Sequence, residues 1–311
     1  MTNSPLRVRT SATVANVTCG FDSLGYAISG LYDTLLVKAN NSSVINITID
    51  GIKSKEITSN PKQNTAGRAV LSLLNELGSK QGFDLHIKKG IPHSGGLGSS
   101  AASAAAAVFG VNNLLGSPLA LNDLIIHGVE GEKVVSGDAH ADNIAPALFG
   151  GMTLISGRDK LDVIELPVPT NLFSTVLLPN IVVNTMEARK ILPDQVPLKD
   201  AIYQARNFAT LIHALHISDF DLLGKSMEDL FAEPIRSNLI PYYDEIYKIS
   251  MEEGSVGFGI SGSGPATFSL CNSKEIALKV ASSTSKVLIK NGIECLTFTS
   301  LINKNSTIIL D

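Results

Sequence analysis

Apolar and polar residues alternate along Leu6-Arg-Val-Arg-Thr, and this predicts a strand at the start of the chain. A glycine-rich stretch over Gly20–Gly30 predicts a turn region. Strands are expected at Leu35–Lys38 and at Val44–Ile49, the second with period-two alternation. The period then changes. Ala66, Ala69, Val70, Leu73, Leu74 and Leu77 share one face of a helix over 65–77, and Gly78 stands where a left-handed residue ends one. Alternation returns at Phe83–Lys88. A Gly/Ser loop, an Ala-rich helix from Ser100 to about Asn112, a helix over 122–133 and a strand at Met152–Ser156 follow.

The remaining pattern predicts a strand at Ser174–Leu178 and helices over 185–192, 198–217, 219–231 and 242–253. A second glycine cluster, 257–270, leads into a strand. A helix over 275–290 and a strand over 294–300 complete the pattern. Helices and strands mix without strict alternation, so the expected class is α+β rather than a doubly wound sheet. A length of 311 residues fits two domains. The break is expected near residue 157, within about ten residues, dividing 1–157 from 158–311.

Composition narrows the function classes. Hydrophobic residues at 44% against 17% charged support a sizeable core and exclude global disorder. A net charge of −4 argues against nucleic acid as a partner, which calls for a basic face, and the absence of Trp argues against a base-stacking platform. Cys19, Cys271 and Cys295 form no CxxC pair, so neither a disulfide framework nor a structural zinc site is expected, and a reducing cytoplasm fits. No apolar run reaches the ~20 residues of a membrane span, and the first residues carry no signal-peptide core, so no membrane partner is expected. The sequons at Asn16, Asn41, Asn46 and Asn305 are therefore expected to be chance matches.

The most informative segment is IPHSGGLGSSAASAAAA, residues 91–107. Its glycines permit backbone angles and close approaches that a side chain would block. A helix beginning at its end points free N–H groups and the positive end of its dipole at the loop, which suits phosphate. The segment is neither a Walker A loop, lacking the Lys, nor a dinucleotide fingerprint, lacking G-x-G-x-x-G. Taken alone, it fits a tight strand–helix turn equally well. The second glycine cluster, Ser261-Gly-Ser-Gly-Pro-Ala, lies in the other half and points to a ligand between the halves.

These segments resemble the GHMP kinase superfamily. Pro92-His-Ser-Gly-Gly-Leu-Gly-Ser-Ser-Ala-Ala is similar to its central motif and GISGSGPA (259–266) to its third. SATVANVTCGFDSLGYAI (11–28), HADNIAPALFGG (140–151), TMEARKILP (185–193) and AEPIRSNLIP (232–241) resemble segments of its homoserine kinase branch, in order along nearly the whole chain. One departure stands out. Thr18 replaces a glycine usual in the N-terminal motif and Cys19 precedes Gly20, which puts the backbone of that loop in question. Cys19 itself is expected to be a small apolar filler.

The resemblance implies a two-domain α+β GHMP kinase fold, ribosomal S5-like in its N-terminal half and ferredoxin-like in its C-terminal half, with the active site in the cleft. It implies ATP and Mg2+ as cofactors, L-homoserine as substrate, O-phospho-L-homoserine as product on the way to threonine, and the homodimer that members often form. Carried over residue by residue, the ATP contacts are Asn64, Pro92, Ser94, Gly95, Gly96, Leu97, Gly98, Ser99, Ser100 and Ala101. Asn64 is equally suited to capping the helix that follows it. Ser100 and Glu132 are the implied metal residues, with Glu130 the alternative. Asn16, Asp22, His140, Arg189 and Arg236 are the implied substrate contacts, the arginines as carboxylate forks. Asn143, Thr185 and Arg189 are the implied catalytic residues. Asn143 occupies the register at which mevalonate kinase and galactokinase carry an aspartate. An amide has no useful basicity, so transfer without a side-chain base is expected, with Asp142 the competing base. A mevalonate- or shikimate-type kinase and a non-catalytic nucleotide-binding member are the alternatives.

Overall fold

A computed structural model describes residues 4–136, 140–157, 160–305 and 307–311. The first half comprises β1 (Leu6–Val17), β2 (Gly20–Asn40), β3 (Ile45–Gly51), α1 (Thr65–Glu76), β4 (Gly82–Lys89), α2 (Ser99–Leu114), α3 (Leu124–Ser136), α4 (Ile144–Phe149), β5 (Met152–Ser156) and β6 (Asp162–Leu166). The second comprises β7 (Phe173–Pro179), α5 (Thr185–Lys190), α6 (Leu198–Ile217), α7 (Phe220–Ser226), α8 (Glu233–Arg236), α9 (Tyr243–Glu252), β8 (Gly257–Ile260), β9 (Thr267–Cys271), α10 (Lys274–Lys290), β10 (Cys295–Leu301) and β11 (Ile308–Leu310).

One sheet runs β11-β1-β2-β4-β3, with β5 on a separate stretch of β2 and β6 beyond it. The other runs β10-β7-β9-β8 and is antiparallel throughout. The expected break at 157 falls inside the β5–β6 hairpin, with residue 158 outside the described residues. The first sheet runs on to Leu166 and takes back β11 beside β1.

Packing follows the periodicities. The apolar face of α1 and the alanines of α2 bury against β1–β4, and Gly110 lets α2 approach closely: a Cβ there would lie 2.8 Å from Val37. Asn64 caps α1, accepting from the Gly67 amide at 3.2 Å. Gly78, at φ 60°, ends it with the paired bonds of a Schellman motif, Gly78 N–H to Asn75 and Ser79 N–H to Leu74.

Two expectations are corrected. The stretch over Gly20–Gly30 is not a turn region but the first part of the 21-residue strand β2. Its glycines serve close approach: a Cβ on Gly25 would lie 1.9 Å from the carbonyl oxygen of Asp142. The helix expected over 219–231 stops at Ser226, because the buried Asp229 carboxylate gathers the amides of Phe231, Ala232 and Glu233 and starts α8 instead.

Candidate active site

The two glycine loops stack on each other. Ser261 Oγ donates to the Gly96 carbonyl at 2.6 Å, and the Ala266 amide donates to that of Gly95 at 3.3 Å. Gly96 has φ 76°, and a Cβ on it would lie 2.4 Å from the Ser261 carbonyl oxygen. Gly98, at φ 62°, begins α2, and a Cβ there would lie 2.0 Å from Thr13 Oγ1. Both positions therefore require glycine, for conformation and for space. The first turn of α2 faces a cavity of about 110 Å3 lined by Ser94, Gly95, Gly96, Leu97, Gly98, Ser99 and Ser100. Glu132, Asn143, Thr185, Gly262 and Ser263 complete its wall.

A second cavity, of about 80 Å3, shares Glu132, Asn143, Thr185, Gly262 and Ser263 and adds Asn16, Asp22, His140, Asp142, Arg189 and Arg236. These come from β1, β2, the α3–α4 connection, α5 and α8. Asp22 is the centre of charge. It accepts from Arg189 at 2.7 Å and meets His140 Nδ1 at 3.3 Å. Burial alone would raise its pKa, but the His140 hydrogen bond and the charges of His140 and Arg189 outweigh it and lower the value. Burial likewise works against His140, and the bond to Asp22 reverses the sign and raises it. Arg236 is buried against Phe21 and donates to the carbonyls of Ala188 at 3.2 Å and Gly262 at 3.0 Å. Burial pulls its pKa down.

A third cavity, of about 280 Å3, opens beside the first and is lined by Ile49, Ile57, Thr58, Gln63, Asn64 and Ile87, with Ser100 shared. Its apolar walls and amide edges suit a purine base.

Protein hydrogen bonds already engage several side chains that the resemblance assigns to ligands. Asn64 is the cap of α1, as one of its two readings expected: its Oδ1 is on Gly67, its Nδ2 donates to the Thr58 carbonyl at 2.8 Å, and it lines the third cavity. Ser99 donates to the Ile91 carbonyl at 3.0 Å, which leaves its hydroxyl structural. The Ala101 side chain is buried in the core, and Pro92 lines a neighbouring groove with Leu178 and Leu296 and not the first cavity. Asn16 lines the cavity around Asp22, accepts from the Asp22 amide and donates to the Gly262 carbonyl, both at 2.9 Å, and so helps to orient Asp22. Thr18 adopts φ 48° with its methyl packed over Gly259, where a Cβ would lie 2.9 Å away. Cys19 is buried and its thiol is pushed up to about 12 by burial, which suits a filler.

Glu132 accepts from Ser100 Oγ at 3.0 Å, and burial raises its pKa to about 7. Glu130 instead faces Arg68 at 3.7 Å and Lys133, outside the cavities. Among the described residues no group of three or more His, Cys, Asp and Glu gathers for a metal. One buried carboxylate beside a hydroxyl and a phosphate cradle fits Mg2+, which takes few protein ligands and completes its shell with phosphate and water. Asn143 Oδ1 accepts from Thr13 Oγ1 at 2.7 Å. Thr185 Oγ1 lies 3.3 Å from Ser263 Oγ. Thr13, Phe21 and Ser263 were not singled out by sequence, although each lies in a segment that carried the resemblance, 11–28 or 259–266.

Known proteins share this sequence pattern and fold. The family described as GHMP kinases N terminal domain matches residues 64–151, and GHMP kinases C terminal matches 211–290. A homoserine kinase of Chlorobium phaeobacteroides is 41% identical over 283 residues, covering 87% of this chain and 88% of that protein. A homoserine kinase of Methanococcus vannielii is 40% identical over 266 residues, covering 85% and 87%. The crystal structure of homoserine kinase from Cytophaga hutchinsonii matches with a TM-score of 0.94 at 38% identity, over 100% of this chain and 98% of that one. The chain belongs to the homoserine kinase family of GHMP kinases. It is therefore a kinase, with ATP the family's phosphoryl donor. No helix of the described residues is long and apolar enough to cross a membrane.

Proposed function

We propose that the enzyme transfers the γ-phosphoryl group of ATP to the side-chain hydroxyl of L-homoserine, forming O-phospho-L-homoserine and ADP as a cytoplasmic step towards threonine. The observation that carries this reading is the join between the two cavities. Asn143, Thr185, Glu132 and Ser263 stand where donor and acceptor meet, and a carboxylate with two guanidinium groups stands at the far end. An amino acid needs an anion for its ammonium and a fork for its carboxylate. Asp22 is the anion, and Arg189 and Arg236 supply the fork. Mevalonate and shikimate have no ammonium to offer Asp22, and a site built to pair a polar group discriminates against analogues that lack it.

Ser100 and Glu132 would hold Mg2+, which when bound neutralises phosphate charge. The chain's own residues do the positioning. Backbone amides of the loop and the first turn of α2 cradle the phosphates. Asn143, its oxygen held by Thr13, orients the acceptor hydroxyl. Thr185, paired with Ser263, faces the transferring group. Phosphoryl transfer depends mainly on such positioning and charge neutralisation, so no side-chain base is required and the hydroxyl proton leaves to phosphate or solvent. Asp142, the competing base, lines only the cavity around Asp22, whereas Asn143 lines both cavities. Burial raises the pKa of Asp142 to about 6.

The test is ADP release from ATP and Mg2+ with L-homoserine, L-serine, L-threonine, mevalonate and shikimate offered separately. Turnover with L-homoserine above all others is expected. ATP binding with no homoserine turnover would overturn the acceptor assignment and leave the kinase fold standing.

A further inference from the structure

The phosphate loop is clamped at both ends by a buried ion pair. Asp33, on β2, accepts from the amides of Gly90 at 2.9 Å and Ile91 at 3.0 Å through Oδ1, where the chain leaves β4 and enters the loop. Its Oδ2 pairs with Lys89. Lys89 donates to the carbonyl of Ser99 at 2.7 Å, the first residue of α2, where the chain leaves the loop. Ser103, one turn further along α2, accepts from Lys89 at 2.8 Å and donates to Asp33 at 3.1 Å. Both charges are buried, and Lys89 lines the large cavity beside the loop.

This arrangement is poorly explained by stability. Buried ion pairs seldom stabilise a fold relative to apolar residues of similar size. A cation beside the first turn of a helix also opposes the helix dipole. The Lys89 ammonium is surrounded by Asp33, Ser99 and Ser103, so it acts by holding the chain and not by ligating phosphate. What the pair achieves is a fixed separation between loop entry at residues 90–91 and loop exit at residue 99. The loop amides must converge on the phosphates, and an error of about 1 Å in such a site is costly.

We propose that Asp33 and Lys89, with Ser103, are positioning residues that set the conformation of the phosphate loop for ATP. The inference rests on the assignment of that loop to ATP.

The test uses the full chain with Asp33→Asn and Lys89→Met combined, which removes both charges, and separately Ser103→Ala, a conservative change in an alanine-rich helix. The combined variant is expected to fold with a thermal midpoint close to wild type, while its KM for ATP rises about ten-fold or more and its KM for the acceptor at saturating ATP stays within about two-fold. Ser103→Ala is expected to raise the ATP KM about three-fold in the same selective way. A folded combined variant with unchanged ATP KM would overturn the proposal. If that variant does not fold, an unchanged ATP KM in Ser103→Ala overturns it. Wild-type protein that binds no ATP would sink the ATP assignment and this inference together. An ATP-binding wild type beside unaffected variants would sink the inference alone.

Discussion

At the scale of single residues, the site works by matching each polar atom to one task. Arg236 is buried and already donates to two carbonyls, so its remaining donors have a fixed direction. Arg236→Lys keeps the charge and loses the fork, and is expected to raise the KM for L-homoserine by about ten-fold or more while leaving the ATP KM unchanged in steady-state assays. Thr13→Val removes the hydroxyl that holds Asn143 and preserves shape. Its expected effect is a loss of about ten-fold in kcat with both KM values little changed. Glu132 links charge to pH. Its folded pKa, about 7, lies above the ordinary 4.5, so the folded state binds its proton more tightly than the unfolded state does. The group's contribution to stability is therefore best below about 4.5 and falls as pH rises through 7. Glu132→Gln removes that slope. Without ATP or Mg2+, the midpoint of the variant relative to wild type should rise between about pH 5 and pH 7.5, while its activity collapses. A difference that does not change with pH would contradict the burial argument.

At the scale of elements, the decisive pieces are the starts of two helices. α2 begins on Gly98 with no side-chain cap, which leaves its first amides open to a ligand. α1 begins on Asn64 with a capped amide. Opposite consequences follow. Gly98→Ala puts a methyl against Thr13 and a left-handed backbone angle on alanine, so activity should fall by about a hundred-fold, with stability reduced by about 1–3 kcal/mol in a denaturant titration. Asn64→Ala should cost about 1 kcal/mol and weaken ATP modestly through Thr58, without selective loss of adenine over other bases.

At the scale of the molecule, the two sheets share one core. Residues of β1, β2 and α2 pack with residues of β7, α6 and β9, and Tyr26 from the first half donates to or accepts from Ser174 at 2.9 Å in the second. β11 returns from the end of the chain to pair with β1, and Thr307 donates to the Ala147 carbonyl. Domains joined this way should not melt separately. A single calorimetric transition is expected, moved upward as a whole by ATP with Mg2+. Two resolved transitions, only one of them responsive to ATP, would show that the shared core is weak.

Local chemistry made much of this protein legible in the sequence. The α1 face, its stop at Gly78, the full span of α6 and the Gly/Ser loop before α2 follow from side-chain periodicity and glycine placement, which act within a few residues. The ordered motifs likewise pointed to a phosphate cradle and an amino-acid acceptor. The tertiary structure decided what each polar atom does. The side chains of Asn64, Asn16 and Ser99, which the resemblance assigns to ligands, are each engaged by the backbone, Asn64 as the helix cap that the sequence also allowed. Asp33 and Lys89 carried no signal in the sequence, and the fold brings them together at the two ends of the loop. β2 read as a turn because glycines that admit a neighbouring backbone look the same in sequence as glycines that bend the chain. The physical reason is range: propensity and periodicity are set by neighbours in the chain, whereas a hydrogen-bond partner, a desolvated charge or a 2 Å approach is set by residues far away in sequence.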